Sequence, residues 1–101
     1  MRRKRPLSDG IVREVEGSHG RYVLARDGLE GEITFSIASS TLIIADHTGV
    51  PDAWRGQGIG DLLARRLAED ARANGVKIVP LCPFVNRWRA RHPEWADVFA
   101  V

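Results

Sequence analysis

Apolar and polar positions alternate with a period of two over the first half of the chain, then switch to a helical period. Ile11–Glu16 sets Ile11, Arg13 and Val15 against Val12, Glu14 and Glu16, a loose alternation that suits a short edge strand. Gly17-Ser18-His19-Gly20 reads as a turn, and residues 21–26, with Tyr22, Val23 and Leu24, as a second strand. Asp27-Gly28 follows. A two-residue type I′ turn needs positive φ at both central positions, so this pair predicts a tight hairpin. Residues 30–37 alternate cleanly, Gly31, Ile33, Phe35 and Ile37 against Glu32, Thr34 and Ser36. Residues 38–40 turn the chain again. Residues 41–50 are β-rich, and the consecutive Leu42, Ile43 and Ile44 predict a central strand covered on both faces.

From Gly58 onward Ile59, Leu62, Leu63, Leu67 and Ala71 fall on one stripe of an α-helix. Asp61 and Arg65 stand four apart, acid first, a favourable pair on the solvent side. Asn74-Gly75 signals the helix end, because glycine adopts the left-handed cap without strain. Residues 76–81 form a short apolar run. Strand, helix and strand in that order predict a right-handed crossover joining two parallel strands. After Pro83 comes a second helix over residues 84–91. His92-Pro93 stops it, since the residue before proline disfavours helix, and residues 94–99 read as one last turn. The fold class is α+β: an antiparallel meander of about four strands, a helix, a parallel fifth strand and a C-terminal helix. Residues 1–10 read as a disordered basic tail, and 11–101 as one domain.

The stretch Trp54-Arg55-Gly56-Gln57-Gly58-Ile59-Gly60 runs directly into the first helix. Glycines let a ligand approach the backbone, and the first turn of a helix has N–H groups without intrahelical partners. Such a turn is a cradle for phosphate. A Walker loop is excluded, because no Gly-Lys-Ser/Thr follows. The dinucleotide fingerprint from Gly56 would need glycine at position 61, which is Asp61. Arg-x-x-Gly-x-Gly, as Arg55, Gly58 and Gly60, does fit.

Charge and composition narrow the partners. The chain has 101 residues and a net charge of +2, yet Arg2, Arg3, Lys4 and Arg5 supply four of its positive charges. The remainder carries 11 basic and 13 acidic residues, so the folded part is not a nucleic-acid surface by charge. The basic tail is either a solvated terminus or a contact for RNA or an acidic partner. No apolar run approaches the roughly 20 residues of a membrane span, and no apolar segment follows the N-terminal charges as in a secretory signal. A lone cysteine, Cys82, excludes an internal disulfide framework. The expected compartment is the cytoplasm, with no membrane partner and no metal site.

Four signatures stand in order: His47-Thr48-Gly49-Val50-Pro51, Arg55 to Gly60, Pro80-Leu81-Cys82-Pro83-Phe84-Val85, and Arg91-His92-Pro93-Glu94-Trp95. Together they resemble the minimal single-domain (YjdJ-type) branch of the GNAT superfamily of N-acetyltransferases, over about residues 11–97. The resemblance implies a mixed sheet with a splayed pair of parallel strands. It also implies acetyl-CoA wedged between them and an amine as acceptor. Arg55, Gly56, Gln57, Gly58, Ile59, Gly60 and Asp61 would then hold the pyrophosphate, mainly through backbone N–H groups. Thr48 and Val50 would lie along the pantetheine arm, with one N–H polarising the thioester carbonyl. The branch usually has an acidic residue where Gly49 stands here.

Acetyl transfer needs a group to take the amine's proton and help for the departing thiolate. His47 is a candidate base, since an imidazole titrates near about 6.5; the alternative is a histidine hydrogen-bonded to a neighbouring loop. Cys82 sits at a helix start, where a thiol gains thiolate character. It is either transiently acetylated, or an acid for the leaving CoA, or a small packed residue. Asp46, adjacent to His47, should face the other way by strand alternation. His92 reads as a helix cap, Trp88 and Trp95, seven apart, as core or lid residues, Trp54 as packing, and His19 as a turn residue. The leading function is acetyl transfer to an amine. The alternatives are a CoA-binding module with little turnover and an RNA-associated accessory protein using the basic tail.

Overall fold

The computed structural model describes residues 10–101; the basic run at residues 2–5, and with it the disordered-tail reading of residues 1–9, lies outside them. Five strands form one sheet in chain order, β1 (Ile11–Glu16), β2 (His19–Arg26), β3 (Leu29–Ser39), β4 (Leu42–Gly49) and β5 (Lys77–Pro80). The first three pairings are antiparallel and β4–β5 is parallel, which is the mixed sheet the alternation pattern implies. Helix α1 (Ile59–Asn74) crosses between β4 and β5, and α2 (Pro83–Arg91) follows β5. Asp27 and Gly28 both have positive φ, 55° and 79°, as the two-residue hairpin turn requires.

The turns are tighter than the sequence suggests. The first is Gly17-Ser18 alone, so His19 is not a turn residue: it opens β2 and pairs with Glu16. The third turn is Ser40-Thr41 rather than residues 38–40, and Thr41 lies outside β4. In both places the ladder extends because each added pair satisfies backbone groups that a longer loop would leave to water.

One face of the sheet carries the core. Ile11, Tyr22, Leu24, Ile33, Phe35, Ile43 and Ala45 are buried with Leu63, Leu67 and Ala68 of α1 and Val85 and Trp88 of α2 in a single cluster. The other face carries Glu14, Arg21, Glu32, Thr34 and Ser36, all partly or fully exposed. There Arg21 bonds Glu14, Glu30 and Glu32 at 2.7, 3.0 and 2.9 Å. The expected two-sided cover of β4 is therefore wrong: Ile43 and Ala45 are buried, but Leu42 and Ile44 only partly so. Both helices pack on the same side, and an apolar run of three cannot reveal how many faces are covered.

Helix α1 ends as its sequence dictates. Gly75, at φ 67°, donates to Arg72 O, and Val76 donates to Ala71 O, the paired bonds of a Schellman cap. Its buried flank holds a polar network. Arg66 is 5% exposed; its Nη1 donates to Ile11 O at 3.1 Å and its Nε to Asp70 at 3.3 Å. The Tyr22 hydroxyl donates to Asp70 Oδ2 at 2.9 Å. Together these bonds tie β1 and β2 to α1 and meet the rule that buried charge must be paired.

After α2 the chain turns at His92 and forms a 3-10 stretch, Pro93–Val98. Trp88 and Trp95, seven apart in sequence, therefore sit on separate elements, as the His92-Pro93 stop implies. Trp95 instead lies under the Arg72 guanidinium, 4.0 Å from its centroid. Arg72 also pairs with Asp97, and Lys77 donates to the Asp97 carbonyl. Among the described residues, no helix is long and apolar enough to cross a membrane.

Candidate functional site

The site begins at an irregularity in β4. Thr34 pairs with His47 and Phe35 with Ala45, so Asp46 is an extra residue opposite no partner. A bulge of this kind shifts the side-chain alternation by one. Without it Thr48 and Val50 would face the open side; with it Thr48 pairs with Ile33 and turns toward the core face. The same shift corrects the expectation for Asp46. It does not face away from His47's side of the sheet: its carboxylate accepts from Ser36 Oγ at 2.6 Å, on the face that also carries Thr34. His47 is exposed there. A Cβ placed on Gly49 would lie 3.5 Å from His47 Nε2.

The bulge also marks where β4 and β5 part. Their pairing runs from Leu42–Lys77 to Ala45–Pro80, and the Cys82 N–H donates to Ala45 O at 2.8 Å. From Asp46 to Gly49 the β5 side of β4 has no strand partner among the described residues. A cleft of about 640 Å³ opens beyond this point. Thr48 and Val50 form one wall, Gly56, Gly58, Ile59 and Gly60 another, and Phe84, Arg87 and Arg91 of α2 the third.

Glycine is required at two of these loop positions. Gly56 and Gly58 have φ of 81° and 75°, a region that costs a side chain-bearing residue about 1–2 kcal/mol. Gly60 serves differently: a Cβ there would meet Phe84 Cζ at 2.7 Å, so its absence lets α2 approach the first turn of α1. The N-cap, Gly58, offers no side-chain cap. Among the described residues, the N–H groups of Gly56, Gly58, Ile59, Gly60 and Asp61 have no protein acceptor. All five residues line the cleft. The Gln57 N–H is used on Trp54 O, and Gln57 does not line it.

Asp61 brings a carboxylate to this helix N-terminus, and the surroundings occupy it. Its Oδ1 accepts from Trp88 Nε1 at 2.7 Å, with His92 Nε2 at 3.7 Å and Arg65 Nη2 at 3.8 Å from its oxygens. The Arg65 pair forms as the spacing suggests, with both side chains reaching solvent, and Asp61 also lines the cleft beside α2. His92 caps α2, its Nδ1 2.8 Å from Trp88 O and its ring stacked 4.1 Å over Trp88. Trp54 is buried against Gly31 of β3, in keeping with a packing role.

The two candidate chemical residues are not brought together. Cys82 is 2% exposed and does not line the cleft; it is the N-terminal flank of α2, followed by Pro83. Its sulfur lies 3.2 Å from Thr48 Oγ1. Thr48 therefore stands between the buried thiol and the cleft, while His47 opens to the opposite face. Arg87, Arg91 and Phe84 escaped the reading of the sequence, although Arg87 and Arg91, four apart beside Trp88, share a helix face by spacing alone. Among the described residues no cluster of His, Cys, Asp and Glu could hold a metal ion.

Comparison with known proteins agrees with this architecture. Residues 21–98 match the family model for GCN5-related N-acetyl-transferase. The NMR solution structure of a GCN5-like protein from Staphylococcus aureus is similar at a TM-score of 0.66 and 27% identity, covering 90% of this chain and 89% of that one. No curated protein matches the sequence.

Proposed function

The chain belongs to the GCN5-related N-acetyltransferase family, and from that premise we propose that it moves an acetyl group from acetyl-CoA to an amine. The observation that carries this reading is a row of N–H groups without a protein acceptor among the described residues, at Gly56 and Gly58 to Asp61, on residues that line one cleft at a helix N-terminus. Backbone donors and the helix dipole together suit a diphosphate. The unpartnered edge of β4 at Asp46 to Gly49 offers backbone groups to an extended pantetheine arm, much as a strand would.

Acetyl-CoA supplies the activated acyl group. The amine would approach from the exposed face of β4 that carries His47, attack the thioester carbonyl through the gap beside β4, and pass its proton to His47 as the carbon–sulfur bond breaks. The departing thiolate takes its proton from the Thr48 hydroxyl as that hydroxyl takes one from the Cys82 thiol 3.2 Å behind it, and the Cys82 thiolate regains its proton from solvent once the products leave. Direct transfer is favoured over an acetyl-cysteine intermediate because Cys82 is buried and screened by Thr48. A cytoplasmic location belongs to the same proposal.

One observation favours a second reading, a CoA-binding module with little turnover. Gly49 sits beside His47 Nε2, so the place where the branch usually has an acid gives this histidine no carboxylate. Calorimetry with acetyl-CoA and CoA, followed by an amine panel and intact mass, separates the two. Binding with transfer is the expected result, with no acetyl group retained on the protein. Binding without transfer to any amine would leave the module, an acetyl mass lost in Cys82→Ala would replace direct transfer by a two-step route, and no binding would remove both readings.

A further inference from the structure

Helix α2 brings two guanidinium groups to the cleft that the diphosphate turn does not account for. Arg87 and Arg91 stand one helical turn apart and both line the cleft. Other arginines of the chain are engaged: Arg21 with Glu14, Glu30 and Glu32, Arg55 with Asp52, Arg66 with Asp70 and Arg72 with Asp97. Arg89, between them in sequence, bonds Asn86 along the helix. Arg87 and Arg91 have no carboxylate or other hydrogen-bond partner among the described residues. Arg91 lies in the last turn of α2, where a cation complements the helix dipole; Arg87 lies mid-helix, where that explanation fails.

We propose that Arg87 and Arg91 form a second anion subsite that takes the 3′-phosphate of CoA, restricting the donor to full CoA thioesters. The inference rests on the cleft being the CoA site. A diphosphate on the backbone turn uses partial charges and hydrogen bonds. The ribose 3′-phosphate is a separate terminal phosphate carrying up to two charges, and it needs its own cations. Planar guanidinium groups match phosphate oxygens in paired hydrogen bonds. The Asp61 carboxylate on the same wall raises the need for positive charge, and α2 is the wall that supplies it.

The test compares CoA with dephospho-CoA by calorimetry on the full-length chain, wild type against Arg87→Gln/Arg91→Gln. Both arginines are exposed, so the double variant should melt with the wild type. The wild type should prefer CoA by about tenfold or more. The variant should bind CoA no better than dephospho-CoA, and dephospho-CoA as the wild type does. Arg87→Lys/Arg91→Lys should restore part of the preference, and added salt should shrink it. Equal binding of the two ligands by the wild type would overturn the subsite and leave the CoA reading standing. So would an unchanged preference in the variant. Failure of the wild type to bind either ligand would end both proposals.

Discussion

Tyr22 is the chain's single tyrosine, so its ionisation can be watched without interference. It is 2% exposed and donates to the Asp70 carboxylate. Burial, the Asp70 charge and that hydrogen bond push its phenol well above the ordinary range, with Arg13 opposing. The unfolded chain ionises near the usual value of about 10. Below that pH both states hold the proton and the native network is intact. Above it the unfolded state loses the proton while the folded state keeps it, so stability falls as pH rises. The slope for one proton is about 1.4 kcal/mol per pH unit. Between about pH 9 and pH 11 the folded protein should therefore lose about 1.4 kcal/mol through this residue. Tyr22→Phe removes that loss. It costs about 1.5–3 kcal/mol at neutral pH, the typical worth of a hydrogen bond to a charged group. Urea unfolding of both proteins across this range, with tyrosinate absorbance followed in the native wild type, measures each quantity. Native tyrosinate absorbance with a midpoint near about 10, or parallel alkaline losses in wild type and Tyr22→Phe, would refute the account.

Three further outcomes follow from the packing. Gly20→Ala would put a Cβ inside contact distance of Phe35 Cζ, 2.8 Å from Phe35 Cε1 and 2.9 Å from Glu14 O. Phe35 is fully buried, so overpacking should cost about 1–3 kcal/mol in urea melts; a neutral result would mean that the ring can swing aside. Gly58→Ala meets no atom within 4 Å, so its cost of about 1–2 kcal/mol is the left-handed backbone alone. Gly58→Asn should recover most of that, and an equal loss for Ala and Asn would point to some other cause. Thr48→Val keeps the shape but removes the hydroxyl beside Cys82; CoA affinity should hold while turnover drops about tenfold or more. Unchanged turnover would take Thr48 out of the proton route.

The sheet and helices were legible because each element's period matches the face it buries: Gly31, Ile33 and Phe35 on β3, Ile59, Leu63 and Leu67 on α1. The Asp27-Gly28 turn and the Gly75 cap were legible because each needs a backbone that few residues tolerate. The glycine turn ahead of α1 showed for the same reason at Gly56 and Gly58. The bulge at Asp46 left no such mark. It is a register shift of β4 against β3, and no residue type at 45–47 demands it. Since that one residue decides which side chains reach the cleft, strand alternation misplaced Asp46 relative to His47. The Thr48–Cys82 contact joins positions 34 apart, a separation that no local pattern spans. Arg87 and Arg91 read as solvated charge until α2 is placed against the turn.

The order of the sheet also governs how the molecule assembles. Each of β1 to β4 pairs with its neighbour in the chain, so three hairpins can zip in succession, each closing only a short loop. The β4–β5 pairing must wait for the whole intervening helix, and delayed closure of that kind is the slow step in a topology's kinetics. The cleft needs that last closure, so any ligand held there should slow unfolding while hardly changing the folding rate. On a nascent chain the first half can be in register before the cradle exists.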